Sequence, residues 1–353
     1  MGIEELRREI DRIDREILRL LQERLRIAKE LGRQKLRAGM RIEDAERERR
    51  VIERALENAG ELSGEFVRDI FERIILESKR AQRQGKVAIL GPRGTFSEEA
   101  ALRFMSSPEL VTAPTIQEVI EMVERGEVEY GVVPVENSVE GSVGLTLEML
   151  MRSEVRIYSE VVLDVNHCLL ALPGVRLEQV RRVMSHPQAL AQCRGFISSL
   201  GATTQNTAST ADACREIREK GLRDAAAIAP RRAADIYGLA VLRENVQDVD
   251  GNQTRFFIVS ATDHAPTGRD KTSVVLALRD KPGALYRVLE VFAERGVNLT
   301  RIESRPSRRA LGDYLFFIDF EGHRRSREIE ELLEVLRGRV AMLRVLGSYP
   351  AGG

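Results

Sequence analysis

The side chains with the clearest chemical potential lie near the start of the chain: Arg7, Arg24, Lys35, Asp44, Arg47, Glu48, Ser78 and Gln82. Arg24 and Lys35 are eleven residues apart. At ~100° per residue they share nearly one helical face, ~16 Å apart along the axis, so their flexible arms can converge on a small anion. Asp44, Arg47 and Glu48 share a face at i, i+3 and i+4, as do Ser78 and Gln82 at i and i+4. Such a set, without Cys, His or a metal-ligand group, favours electrostatic binding over nucleophilic chemistry. Arg7 does not fit a single straight helix. It stands seventeen positions before Arg24, which turns it ~100° from the Arg24/Lys35 face. A second chain can supply it.

A second group of polar residues falls where apolar runs end. Thr95 lies in Gly91-Pro92-Arg93-Gly94-Thr95-Phe96-Ser97, after the run VAIL and before a helical stretch, a placement that aims backbone N–H groups at an anion. Glu136, Asn137 and Ser138 follow VVPV, and Ser185, His186 and Gln188 follow RRVM. Thr207, Ser209 and Thr210 precede a helix, and Thr254, Arg255 and Phe256 lead into FIV. Each alone is a cap or turn. Repeated at strand ends, they fit the rim of a cleft.

The elements that must hold these residues are legible from periodicity. Ile3, Leu6, Ile10, Ile13, Ile17 and Leu20 form one helical stripe, and the spacing predicts a helix to Leu36, broken at Ala38-Gly39. A second helix is predicted over Glu43 to Asn58, and a third, capped by Ser63, carries Phe66, Val67, Ile70, Phe71, Ile74 and Ile75 and fades at Gln84-Gly85. Helices so unequal leave apolar surface bare on the first, which a partner chain should cover. From Lys86 the period changes to β-rich runs (VAIL, YGVVPV, VRIYSEVVL, HCLLAL, RRVMS, AAAIA, RFFIVSA) between helical stretches, an α/β pattern suited to two lobes around a cleft. His264 to Asp270 reads as a linker. The remainder, TSVVLAL, a helix from Gly283 to Arg295, VNLTRIESRP, DYLFFIDF, a helix from Arg327 to Leu336 and AMLRVLGSYP, has the order βαββαβ of a ferredoxin-like module.

Composition sets the frame. A length of 353 residues exceeds one ordinary core, and the division expected is 1–84, 86–263 and 271–350. The formal charge is +0 with 31% charged residues, which points to neither nucleic acid nor an anionic membrane as partner. Cys168, Cys193 and Cys214 are odd in number and lack zinc or redox spacing. They read as reduced thiols of a cytoplasmic protein. The opening MGIEELRREIDRID has no signal-peptide core, and no apolar run reaches membrane-spanning length.

The strings LRREIDRID, KELGRQK ending at Lys35, EDAERER and ESKRAQ resemble the all-helical mutase domain of bifunctional chorismate mutase/prephenate dehydratases. GPRGTFSEEAA, PVENSVEGSV, NHCLLA, SHPQALAQC, TASTADA and TRFFIV resemble the dehydratase domain in the family's order, and the GAL of Gly283-Ala284-Leu285 and the ESRP of Glu303-Ser304-Arg305-Pro306 resemble the amino-acid-binding regulatory (ACT) domain. The resemblance implies an intertwined dimer of three-helix domains, a two-lobed dehydratase domain like periplasmic binding proteins, and an α+β regulatory module. It implies Claisen rearrangement of chorismate to prephenate, then loss of water and carbon dioxide to give phenylpyruvate, with feedback by phenylalanine and no cofactor or metal. Arg7 (from the partner subunit), Arg24, Asp44, Arg47 and Ser78 would bind chorismate, Lys35 and Gln82 would hold the breaking ether oxygen, and Glu48 the ring hydroxyl. Thr254 would be catalytic in the dehydratase. Arg255 and Phe256 would shape the site, and Asn166 and His167 would join the strand-end residues already named. A threonine hydroxyl is a poor free acid, so Thr254 would position or relay a proton, with the His186 imidazole as the alternative donor. Gly283, Ala284, Leu285, Asn298, Leu299, Glu303, Ser304, Arg305 and Pro306 would bind phenylalanine, although Tyr286 stands where the motif usually has valine. The alternatives are a monofunctional prephenate or arogenate dehydratase with a dimerising helical domain, and a non-catalytic amino-acid sensor.

Overall fold

The computed structural model describes residues 2–37, 44–83, 85–278, 281–306 and 314–351. It divides into two compact units, the first comprising 1–85 with 102–109 and the second the rest.

The first unit is built on α1 (Ile3–Arg37), α2 (Ala45–Glu57) and α3 (Gly64–Gln82). Ser63 caps α3 as its position before the apolar run suggests: its Oγ accepts the Phe66 N–H at 3.2 Å. The predicted second helix starts later than expected. Asp44 is its cap, not part of its face, because the carboxylate accepts the Arg47 backbone N–H at 2.9 Å. On α3 the buried residues Val67, Ile75, Ser78, Ala81 and Gln82 include two polar ones, both from the candidate set. α1 meets α3 at Gly32, where an added Cβ would fall 2.3 Å from the Gln82 carbonyl oxygen. Only a glycine permits that approach. The N-terminal stripe of α1, Ile3 to Leu20, stays exposed at 45–72%.

The second unit holds three sheets. In the first, Tyr130–Asn137 pairs in parallel with Lys86–Leu90 and antiparallel with Gln253–Ser260, which in turn pairs with Arg156–Asp164. In the second, Ala225–Ala229 lies between Cys168–Ala171 and Arg182–Ser185. The strands absent from the sequence reading, Glu109–Ala113, Gly141–Ser142, Thr203–Asn206 and Ala240–Arg243, all lie at sheet edges or off the main path. An edge strand needs no continuous apolar run, and TTQN has none.

The third sheet has the order Leu299–Pro306, Tyr314–Glu321, Asp270–Ala277, Met342–Pro350, all antiparallel. Helices Ala284–Glu294 and Arg327–Arg339 cover one face with a core of Val288, Phe292, Phe320 and Leu332, giving the expected βαββαβ module. Its other face shares a core with the first sheet: Val275, Phe317, Leu346 and Tyr349 pack with Ile157 and Phe257. Gly347 lies so close to Ile157 that a Cβ would meet its carbonyl oxygen at 2.4 Å. The predicted linker is also tied down. His264 is 1% exposed, its carbonyl accepts His323 Nε2 at 3.0 Å, and Asp270 already belongs to the strand, its carboxylate accepting the Thr267 and Gly268 amides.

Candidate active sites

Arg24, Lys35, Arg47, Glu48, Ser78 and Gln82 line one pocket of about 280 Å³, floored by Ile27, Ala28, Leu31, Val51 and Ile75. Each helix contributes part of the set: α1 the two cations at the predicted spacing, α2 Arg47 and Glu48, α3 Ser78 and Gln82. Arg24 donates to the Ser78 hydroxyl, which itself donates to the Ile74 carbonyl at 2.7 Å. Burial pushes the Arg24 guanidinium below its ordinary range, an expense of holding a cation in an oily pocket. Among the described residues, Gln82 Oε1 is buried without a hydrogen-bond partner, and such an atom calls for a ligand. Lys79, which the sequence reading passed over, also lines the pocket and pairs with Glu48 at 3.1 Å. Asp44 and Arg7 are not among the pocket residues. Arg7 projects from the first turns of α1, 69% exposed and, among the described residues, paired with Glu4.

The second site is a cavity of about 830 Å³ in the α/β part. It gathers Thr95, Asn137, His167, His186, Gln188, Ser209, Thr210, Thr254 and Phe256 of the predicted set, with apolar walls from Ile116, Val165 and Ala189. Thr254 and Phe256 project from one face of their strand. Opposite them the register skips Val135, Arg255 pairing with Glu136 and Phe256 with Pro134, and this bulge lets Asn137 and Pro134 both face the cavity. Asn137 is fixed in orientation: its Oδ1 accepts the Val139 and Glu140 amides at 3.0 and 3.1 Å, so Nδ2 must donate, and it does so to Thr254 Oγ1 at 2.9 Å. With its oxygen accepting, the Thr254 hydroxyl keeps its own proton to donate.

The two histidines differ. His186 is the N-cap of helix Pro187–Gln192, its Nδ1 accepting the Gln188 amide at 3.3 Å, which leaves Nε2 as the protonated nitrogen. His167 is 2% exposed. Burial lowers its pKa more than the bond to Gln192 at 2.9 Å raises it, so it is a neutral wall residue, edge-on to Phe96.

Other predicted residues are spent elsewhere. The Ser185 hydroxyl donates to the Ile228 carbonyl at 2.6 Å, Thr207 donates to Ser209 O, Asn166 accepts from Gln247, and Ser138 bonds the Asn252–Gln253 segment. The Gly94 amide, expected to face an anion, instead donates to Glu98 at 2.8 Å, a carboxylate with no exposed surface that also binds Arg93 and Arg232. Arg255 and Glu136 point away from the cavity, as strand alternation demands of neighbours of Thr254 and Asn137. Conversely, Arg215 lines the cavity beside Asp212, paired at 2.5 Å. Nothing in the local sequence REIREK set it apart from an ordinary helix surface.

Three family models match the chain in succession: chorismate mutase type II over residues 6–83, prephenate dehydratase over 87–264 and the ACT domain over 272–338. A bifunctional chorismate mutase/prephenate dehydratase of Aquifex aeolicus is 43% identical over 99% of this chain and 98% of its own length. The chain belongs to the bifunctional chorismate mutase/prephenate dehydratase family.

Among solved structures, a prephenate dehydratase from Arthrobacter aurescens in complex with L-Phe matches with TM-score 0.69 and 37% identity, covering 75% of this chain and 90% of that one. GqqA, described as a novel type of quorum quenching acylase, matches with TM-score 0.69 and 33% identity over 76% of this chain and 98% of that one. As a member of the family the chain carries both activities, chorismate mutase in the helical part and prephenate dehydratase in the α/β part. The three thiols take no part: all are buried, and burial pushes Cys193 and Cys214 up to about 12. Among the described residues no cluster of metal-ligating side chains occurs and no helix is long and apolar enough to cross a membrane.

In the ACT module Gly283 begins helix Ala284–Glu294 in a left-handed conformation (φ 75°), with Leu285 in its first turn and Tyr286 66% exposed. Asn298 donates to Glu321 at 3.1 Å, and Leu299 opens the edge strand that ends at Pro306. Glu303 accepts from Ser142 and Arg301, while Arg305 and Pro306 line a cavity of about 380 Å³ with Gly144, Leu145 and Phe317. The ESRP segment therefore touches the dehydratase part of its own chain.

Proposed function

We propose that the two activities are divided among the residues as follows. In the helical pocket Arg24 and Arg47 hold the carboxylates of chorismate, Glu48 takes the ring hydroxyl, and Lys35 with Gln82 faces the ether oxygen whose bond breaks. The rearrangement is pericyclic and needs no acid, base or nucleophile; it needs a compact dicarboxylate and stabilised charge on that oxygen. Each charge-assisted bond contributes about 1.5–3 kcal/mol, so a few of them account for a large acceleration. The observation that carries this reading is the convergence of six polar side chains from three helices on one pocket. Arg7 is supplied by a second copy of the chain, and the homodimer covers the exposed stripe of α1.

In the cleft Arg215 pairs with the side-chain carboxylate of prephenate. The ring carboxylate, which leaves as carbon dioxide, lies against the apolar wall, where desolvation favours its loss. Thr254, oriented by Asn137, donates a hydrogen bond to the departing hydroxyl, with His186 Nε2 as the second hydrogen-bond donor on the rim, and the one proton the hydroxyl needs to leave as water is relayed from solvent. Phenylalanine, the end product, inhibits by binding the C-terminal module. The functional division follows residues 1–84, 86–263 and 271–350, and reduced buried thiols suit a cytoplasmic site of action.

The test is a pair of substitutions assayed on both substrates. Lys35→Ala should stop chorismate consumption while prephenate is still converted to phenylpyruvate; Thr254→Val should do the reverse. Near-normal turnover by either well-folded variant on its own substrate removes the corresponding assignment.

A further inference from the structure

The strand that presents Thr254 to the cleft carries on its other face a charged network leading into the C-terminal module. Arg255, one peptide from Thr254, donates from Nε to Glu160 at 2.7 Å, from Nη1 to Asp319 at 2.6 Å and from Nη2 to the Tyr349 hydroxyl at 3.0 Å. Asp319 and Tyr349 are module residues, joined to each other through the Ser273 hydroxyl at 2.6 and 2.7 Å. Lys271, also of the module, holds the other oxygen of Glu160 at 2.8 Å. The side chains of Glu160 and Asp319 are 1% and 3% exposed and Arg255 13%. A second tie runs parallel to the first. Glu136, one peptide from Asn137, is held by Arg301 of the module at 3.3 Å, and Arg301 also donates to Ser142 at 2.6 Å.

Thr254 faces Asn137 in the register and Arg255 faces Glu136. Each cleft residue therefore shares a peptide with a residue whose side chain the module grips. Stability does not explain this construction, because a buried ion pair replaced by apolar groups of similar volume is often neutral or stabilising. The shared apolar core already binds module to lobe. A buried charge pair can specify one geometry, and a bulge such as the one beside Arg255 re-aims the side chains around it.

We propose that Arg255 and Glu136 are positioning residues through which the C-terminal module sets the placement of Thr254 and Asn137 in the cleft. The proposal rests on the reading of Thr254 and Asn137 as the dehydratase centre. A small shift of the module strands moves the Arg255 and Glu136 anchors, and with them the Thr254 hydroxyl relative to bound prephenate. Turnover falls while substrate binding, which depends on Arg215 and the cavity walls, is retained. An effector on the module acts by the same route.

The experiment uses the full-length protein with Asp319→Asn, Tyr349→Phe, Arg255→Lys and Arg255→Met. Dehydratase kcat and KM are measured on prephenate, the phenylalanine concentration for half inhibition is recorded, and mutase turnover on chorismate serves as internal control. Asp319→Asn is expected to lower dehydratase kcat by about tenfold or more, the scale of a sub-ångström misplacement, with KM and mutase turnover unchanged and phenylalanine inhibition weakened. Arg255→Lys should retain more kcat than Arg255→Met. Unchanged kcat and unchanged inhibition in Asp319→Asn overturn the proposal, as does a fall in Tm with no split between kcat and KM. Should Asp319→Asn fail to fold, Tyr349→Phe, which loses a single hydroxyl, decides on the same criteria. Thr254→Val separates the two failures: if it keeps dehydratase activity, the centre itself is misassigned, whatever the network variants do.

Discussion

Gly32→Ala isolates the geometry of the mutase pocket from its chemistry. The added methyl would lie 2.3 Å from the Gln82 carbonyl oxygen, 2.6 Å from its Cα and 2.8 Å from its carbonyl carbon. All three are backbone atoms of α3 and cannot swing aside as a flexible side chain does. Ordinary contact between such atoms is about 3.5 Å, so α1 and α3 must separate locally by roughly 1 Å. Two terms compete in stability. Alanine is about 0.8–1 kcal/mol better than glycine in a helix interior, and overpacking costs about 1–3 kcal/mol. The net penalty is at most about 2 kcal/mol, which a chain with an independent α/β unit survives. Catalysis lacks that compensation. Lys35 lies one turn beyond Gly32 and Gln82 is the residue struck, so the two groups assigned to the ether oxygen are displaced from each other. A misplacement of 1 Å costs about 10²-fold in rate, or about 2.7 kcal/mol in the barrier. Chorismate disappearance, followed by absorbance with prephenate turnover as control, should fall about a hundredfold while the dehydratase rate holds. A Gly32→Ala protein with wild-type mutase turnover would refute both the close approach of α1 to α3 and the roles given to Lys35 and Gln82.

Three further outcomes follow from the α/β part. Asn137→Ala frees the Thr254 hydroxyl to turn its proton inward, and dehydratase kcat should fall about 10²-fold, the low end of the ~10²–10⁴-fold contributed by a positioned proton-transfer group, with little change in KM. Arg215→Met should raise KM for prephenate about tenfold or more, since a charge-assisted bond is worth about 1.5–3 kcal/mol; an unchanged KM would show that the carboxylate is held elsewhere. Glu98 bears on stability against pH. Burial raises its pKa, but the Arg93, Gly94 and Arg232 bonds outweigh this and hold it below its ordinary 4.5. A depressed folded pKa gives stability that is fully present above the unfolded value and lost as pH falls through the folded one. The Tm gap between wild type and Glu98→Gln should therefore be widest near neutrality and shrink as pH falls below the ordinary 4.5; a gap independent of pH would mean the carboxylate is not charged in the fold.

The first three helices were legible because a solvent-facing stripe and its caps are local: Ile3 to Leu20 repeat at helical spacing, and Ser63 stands before its run. Asp44 misled for the same reason, since an acidic residue three or four positions before Arg47 and Glu48 fits a helix face and a cap equally well. Strands buried on both sides, AAAIA among them, were plain, whereas TTQN at an edge carried no hydrophobic signal. In the cleft, motif position found Thr254 and Asn137 but not their neighbours' direction. Alternation alone assigns Thr254 and Arg255 to opposite faces; which face meets the cleft depends on long-range packing against the C-terminal module. Arg215 was illegible because its own ion pair, with Asp212, is an ordinary i,i+3 helix contact, while the cavity walls it joins come from strands as far away in sequence as Leu90 and Thr254.

The exposed stripe of α1 is the surface that the proposed homodimer would cover. Arg7 and the pocket around Ala28 lie ~30 Å apart along one helix, so one chain cannot bring them together. An isologous contact, in which each α1 lies antiparallel to its copy, sets residue i of one chain beside residue j of the other and j beside i. If Arg7 of one copy is to lie beside Ala28 of the other, the twofold axis passes midway, near Ile17 and Leu18. These residues are 49% and 59% exposed, in the middle of a stripe that continues through Ile13 and Ile10 on one side and Leu20 on the other. In the proposed homodimer that register puts the middle of the exposed stripe at the axis. Fully burying an isoleucine contributes about 1.5–3 kcal/mol, so a charge at the axis, where it meets its own copy, is the most damaging single change. Ile17→Glu should shift the protein to a monomer in sedimentation. Mutase turnover should be lost in proportion to dissociation while prephenate turnover persists, and a monomeric Ile17→Glu protein with full mutase activity would show that each pocket is complete within its own chain.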